Sequence, residues 1–157
     1  MTPLNIVVDS ASTTIVMTRD FNAPPALVFK AFTDPALVAQ WWGPERLTTT
    51  VEQMDVRKGG LWRYAQHDVD GNTFSFNGVY HDIVAPHRLV YTFEFDAQPG
   101  HVLLETVTFE ERAGGKTTMT DLLAFQTIED RNGMIESGME QGAIESWERF
   151  EALLMTL

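Results

Sequence analysis

Two carboxylates, Glu105 and Asp121, occupy positions where strand alternation calls for apolar side chains. The stretch Leu103-Leu104-Glu105-Thr106-Val107-Thr108-Phe109 reads as a strand, and alternation places Leu103, Glu105, Val107 and Phe109 on one face. The following turn, Glu110-Glu111-Arg112-Ala113-Gly114-Gly115-Lys116, leads into a second strand that carries Asp121. A three-residue loop Arg112-Ala113-Gly114 pairs Glu110 with Lys116 and Val107 with Met119, which sets Glu105 directly across from Asp121. On the other side, pairing Phe95 with Leu103 puts Phe93 beside Glu105. Two opposed anions on an apolar face destabilise a sheet unless they share a proton or a cation intervenes. Such a pair has the chemistry of a general acid/base, or of an acceptor for a cationic or hydroxylated ligand. A slipped register that turns Asp121 outward would abolish the pair. A covering arginine, for which Arg57, Arg63 and Arg131 are candidates, would reduce it to an ion pair.

The elements that must position these acids follow from turn chemistry and periodicity. Residues 1–11 read as a loose tail, and 12–157 as a single domain. A strand spans 12–21, and Pro24-Pro25 open a short helix with the stripe Leu27, Val28, Ala31 and Phe32. Asp34-Pro35 is an N-cap followed by a first-turn proline, so a second short helix begins there and stops at Gly43-Pro44. Six antiparallel strands are expected over 47–56, 60–67, 73–84, 88–95, 102–110 and 117–125. One long amphipathic helix then runs from 128 to 157, with Ile135, Met139, Ala143, Ser146, Phe150, Leu153, Leu154 and Leu157 along its apolar stripe. Trp147 falls to the edge of that stripe as structural cover for the sheet rim. The order implies an α+β fold, a strongly curved antiparallel sheet gripping its last helix. Such a sheet cannot flatten along one helix, so large side chains fill the gap or a cavity remains.

Aromatic residues collect on the inner face. A three-residue loop Val69-Asp70-Gly71 pairs Tyr64 with Phe76 and Trp62 with Gly78, gathering Trp62, Tyr64, Phe74 and Phe76 together. The expected cavity lining is Trp62, Tyr64, Phe76, Tyr91, Phe93, Val107, Met139 and Phe150, with Trp42, Tyr80, Met119 and Ala143 beside them. Of Trp41-Trp42, adjacent positions on a helix, one indole packs inward and the other reaches the cavity rim. Gly138, Gly142, Ala143 and Ser146 leave the last helix thin, which serves close helix–sheet contact or makes room for a ligand. Asp55 to Gly60 forms a tight structural connection braced by Arg57.

Composition removes whole classes of function. The chain has 157 residues, a net charge of −11 and no cysteine. Disulfides, thiolate metal sites and cysteine nucleophiles are excluded together. The acidity opposes binding to a phosphate backbone, so no nucleic-acid partner is expected. No apolar run reaches the ~20 residues of a membrane span, and the N-terminus lacks the basic region of a secretory signal. The histidines, His67, His81, His87 and His101, show no ligand spacing, and no phosphate loop or Ser/His/Asp arrangement occurs, so neither metal nor cofactor is expected. These features suit a cytoplasmic protein.

Several segments resemble successive signatures of one family. They are Phe21–Pro44, Met54–Gly60, Gly78–Phe93, Val107–Glu111 and Arg131–Gly142. Within them Ala23-Pro24, Phe32-Thr33-Asp34-Pro35, Trp41-Trp42-Gly43-Pro44 and Arg57 with Gly59-Gly60 are the most specific. The chain resembles, from about Ser12 to Leu154, the branch of the START-like (SRPBCC) superfamily named for the activator of a heat-shock protein's ATPase. The resemblance implies the helix-grip fold of the birch-pollen-allergen type, with a hydrophobic ligand cavity between sheet and last helix. It supplies no reaction, because the superfamily includes carriers, receptors and cyclases. Glu105 and Asp121 depart from the apolar or neutral residues expected there.

Three readings follow. The leading one is a domain that binds a small hydrophobic or aromatic molecule, with the acid pair as its polar recognition point. The second is an enzyme of cyclase, hydratase or isomerase type in which Glu105 and Asp121 move protons. The third is a co-chaperone-like interaction module with a chaperone as partner. A homodimer is compatible with each of them.

Overall fold

A computed structural model describes residues 3–157. Eight antiparallel strands form one curved sheet in the order β1-β2-β8-β7-β6-β5-β4-β3. They are β1 (Asn5–Val8), β2 (Thr14–Phe21), β3 (Thr48–Met54), β4 (Leu61–His67), β5 (Thr73–Val84), β6 (Arg88–Phe95), β7 (Leu103–Arg112) and β8 (Lys116–Ala124). The helices are α1 (Pro25–Thr33), α2 (Pro35–Trp41), α3 (Ile128–Glu136) and α4 (Met139–Leu154). The helix-grip fold anticipated from the order of elements is the fold observed.

Two expectations about elements change. The stretch read as a loose tail contains β1, whose Val7 pairs with Val16 at the sheet edge; Met1 and Thr2 lie outside the described residues. The long terminal helix is two helices, broken at Gly138, which adopts φ 86° between α3 and α4. A side chain rarely tolerates that left-handed backbone, so glycine is what allows the chain to turn and restart.

Turn chemistry sets the pairing. Asp34 caps α2 by accepting from the Ala36 N–H at 3.0 Å, with Pro35 in the first turn. The Asp70-Gly71 hairpin has the expected register, with Tyr64 opposite Phe76 and Trp62 opposite Gly78. Glycine is obligatory at 78. A Cβ there would lie 1.8 Å from the Thr92 carbonyl and 2.3 Å from Nε1 of the indole of Trp62, which donates to that carbonyl at 3.0 Å. A bulge between Tyr80 and Asp82 then reverses the side-chain alternation of β5 and bends the sheet.

The main core closes one end of the grip. Phe150 is fully buried, with its ring 4.5 Å from Trp41 and 5.1 Å from Phe21, centroid to centroid. The Trp41 Nε1–H donates to the Ala31 carbonyl at 2.9 Å, which ties α2 to α1. The bulky positions of α4, Trp147, Phe150 and Leu154, lie in its C-terminal half and pack into this core. Its N-terminal half offers Gly142, Ala143 and Ser146 instead, too little volume to reach the sheet. A chamber remains there.

Candidate functional site

The chamber lies between the sheet and the N-terminal half of α4 and has a volume of about 230 Å³. A wider groove of about 1030 Å³ adjoins it, bordered by the α3–α4 break and the ends of β5, β6 and β7. Phe76, Phe93, Met134, Met139 and Gln66 line both spaces and form the neck between them. The roof is held in place by polar contacts from α4. Ser146 Oγ accepts from the Gly43 N–H at 3.1 Å and donates to the Trp41 carbonyl at 3.2 Å. Arg149 donates to the carbonyls of Gln40, at 2.9 Å, and Gly43, at 3.0 Å.

Both acids line the chamber. Glu105 is 8% exposed and Asp121 6%. Their pairing differs from the expected one by two residues. Val107, not Glu105, stands opposite Asp121, and Glu105 stands opposite Leu123. The loop is Ala113-Gly114-Gly115, with both glycines left-handed at φ 84° and 72°, one residue later than expected. A slip of two preserves the face, so the carboxyls sit diagonally and still meet in hydrogen-bonding contact.

The same slip on the other side replaces Phe93 with Tyr91, which pairs with Glu105 and donates its O–H to Glu105 Oε2 at 2.7 Å. None of the proposed arginines covers the pair. Arg57 binds Asp55 at 2.7 Å and Arg63 binds Asp96 at 2.7 Å. Arg131 donates to the carbonyls of Asp9 and Ser12 at 2.7 and 2.6 Å.

Burial dominates the electrostatics. It pushes both carboxyls above the ordinary range, against the pull of the Tyr91 and Asp121 hydrogen bonds on Glu105. Asp121 is pushed well up, by burial first and then by the charge of Glu105 and its hydrogen bond to it. The arrangement is a chain in which Asp121 contacts Glu105 and Glu105 accepts from Tyr91, with Asp121 the more strongly raised of the two acids. Burial also raises the Tyr91 and Tyr64 hydroxyls well above their ordinary value and Tyr80 to about 12, so all three are neutral donors at physiological pH. Tyr91→Phe removes a hydrogen bond to a charged acceptor, a loss of about 1–3 kcal/mol. Urea unfolding at neutral pH should register that loss, and it should shrink in acid, where Glu105 is protonated.

Trp42, Trp62, Tyr64, Phe76, Tyr80, Tyr91, Phe93, Met139 and Ala143 line the chamber with the two acids. Val107, Met119 and Phe150 do not. They have the right face but lie deeper, fully buried in the main core. Of the tryptophan pair, Trp41 packs into that core, while Trp42 meets Tyr64 edge-on at 5.0 Å in the chamber wall. Trp147 is not at the rim. It is 4% exposed, packs against Phe21 and lines the chamber.

Sequence reasoning also missed Gln66, at the neck, whose buried Nε2 has no hydrogen-bond partner among the described residues. Its signal was parity, since Trp62, Tyr64 and Gln66 alternate on one face. Among the described residues no cluster of three or more His, Cys, Asp or Glu could hold a metal ion, and no helix is long and apolar enough to cross a membrane.

Comparison with known proteins gives the same fold. A crystal structure of a protein from Rhodobacter sphaeroides is 27% identical over 99% of each chain, with a TM-score of 0.91. A solution structure of a protein from Arthrobacter aurescens is 26% identical, covering 98% of this chain and 92% of that one, with a TM-score of 0.89. The crystal structure of protein Ms6760 from Mycobacterium smegmatis, 24% identical over 97% of each chain, shares the fold at a TM-score of 0.88. No curated protein matches the sequence. The family model described as Activator of Hsp90 ATPase homolog 1-like protein matches residues 22–155. Its span takes in α1, both acids and all the chamber lining but Met17, and the chain belongs to this family of the SRPBCC superfamily.

Proposed function

We propose that this protein binds a small, largely apolar molecule in the chamber under α4, with Glu105, Asp121 and Tyr91 as the polar end of the site. The observation that carries this reading is the aromatic-lined space under α4 with a hydrogen-bonded acid pair in its wall. A space of about 230 Å³ exceeds the ~150 Å³ of an apolar cavity that takes up benzene. It holds a single ring with a short arm, and the neck lets a longer body continue into the outer groove. Family membership supports a ligand-binding domain at this general level.

A catalytic reading shares the same residues. The chain Asp121–Glu105–Tyr91 holds a proton on a raised carboxyl beside a carboxylate able to accept one, the pairing a cyclase or isomerase uses. Binding is the reading we adopt, because it requires only the space and its polar wall. A chaperone-directed role rests on the family's description alone.

Ala143→Trp fills the chamber from its roof. The variant should lose at least tenfold in affinity for the neutral fluorescent dye N-phenylnaphthylamine while its circular dichroism stays native. Unchanged dye binding in a folded variant would place the site elsewhere.

A further inference from the structure

We propose that the molecule taken up carries a protonated amine, seated against Asp121 and Glu105 with its apolar body on the aromatic wall. This rests on the binding reading above and names the ligand's charge. Asp121 lines the chamber, and its buried Oδ1 has no hydrogen-bond partner among the described residues beyond the proton it can share with Glu105, so the acid pair in the wall is short of donors. The pair has one identified neutral donor, Tyr91, and no cationic side chain lines the chamber. Arg19 shares the inner face of β2, but its guanidinium lies over the Phe21 ring at 5.1 Å, outside the chamber lining.

A ligand has to bring both the missing donor and the missing positive charge. An alcohol brings only the donor. A carboxylate brings neither, and its charge opposes that of the pair. The wall suits a cation as well, because Trp62, Tyr64 and Phe93 surround the space with π-systems whose faces attract an ammonium. The approach agrees in sign. Glu129, Asp130 and Glu145 border the outer groove against Arg46 and His101, on a chain of net charge −11.

Calorimetry with three ligands of one shape tests this: phenethylamine, phenethyl alcohol and hydrocinnamate, beside the neutral dye. The amine should bind at least tenfold more tightly than the alcohol, and hydrocinnamate should not bind. Glu105→Gln, checked for native circular dichroism, removes the charge of the pair and should reduce amine affinity at least tenfold, whereas Asp121→Asn, which replaces a protonated acid, should leave it within about threefold. Equal or tighter binding of the alcohol or the carboxylate would overturn the amine assignment, with dye uptake still supporting the chamber as a site. An amine whose affinity survives in folded Glu105→Gln would overturn it too. Failure of all four compounds to bind would overturn the binding reading itself.

Discussion

Asp121→Asn should make the protein more stable above about pH 4, by an amount that grows as the pH rises. The sign follows from the direction of the shift. Burial and the Glu105 charge raise the folded-state pKa of Asp121 well above the ordinary carboxylate value. Between the unfolded pKa of about 4 and the raised folded one, the folded chain therefore holds a proton that the unfolded chain has lost. The contribution of that protonated group is complete below the unfolded pKa and declines as pH climbs through the window to the folded pKa. The decline is about 1.4 kcal/mol for each pH unit. Asparagine cannot ionise, yet it can donate to Glu105 as the protonated acid does. The variant escapes the decline while keeping the contact. Urea denaturation at pH 4 and pH 7 checks this: nearly equal stabilities at the lower pH and a clear advantage for the variant at the higher. An equal loss at both would mean that Asp121 is ionised in a fixed ion pair.

Phe150→Ala should cost about 3–5 kcal/mol, the range for truncating a fully buried aromatic residue. The ring is closed in by Trp41, Phe21 and Phe32 at 4.5, 5.1 and 6.1 Å. Those groups come from α2, β2 and α1, so little of the void can be closed by moving one element. Phe150 therefore joins the last helix to two other helices and a strand at once. Chemical denaturation followed by tryptophan fluorescence reads the loss, because Trp41 loses its nearest ring partner. A change below about 1 kcal/mol would show that the core collapses around the gap.

Local chemistry made the fold legible and left depth illegible. Asp34-Pro35 and Asp70-Gly71 are short signals with defined geometry, and each positions its element as read. Gly114-Gly115 offers two positions for one left-handed residue, and both glycines take it, so the register could not be read from the turn. The acids nevertheless remained on the inner face, because alternation repeats every two residues and the slip was two. That parity cannot say how far along the sheet a residue lies. It assigned Val107, Met119 and Phe150 to the cavity when they fill the closed end.

The helix period erred more simply. Ala143, Trp147, Phe150 and Leu154 follow the spacing of one face, and reading Trp147 as an edge residue overlooked it. The connection from Phe95 to Leu103 is too long for its Pro99-Gly100 turn to fix a register, so Tyr91 as the partner of Glu105 emerged only from the observed pairing.

The carboxyl carbons of Glu105 and Asp121, followed by NMR through a pH titration with and without N-phenylnaphthylamine, test the central claim most directly. The account predicts that Asp121 stays protonated well above the ordinary carboxylate range. It also predicts that both resonances move when the dye enters the chamber. Independent titration of both acids near pH 4, with resonances indifferent to bound dye, would contradict it.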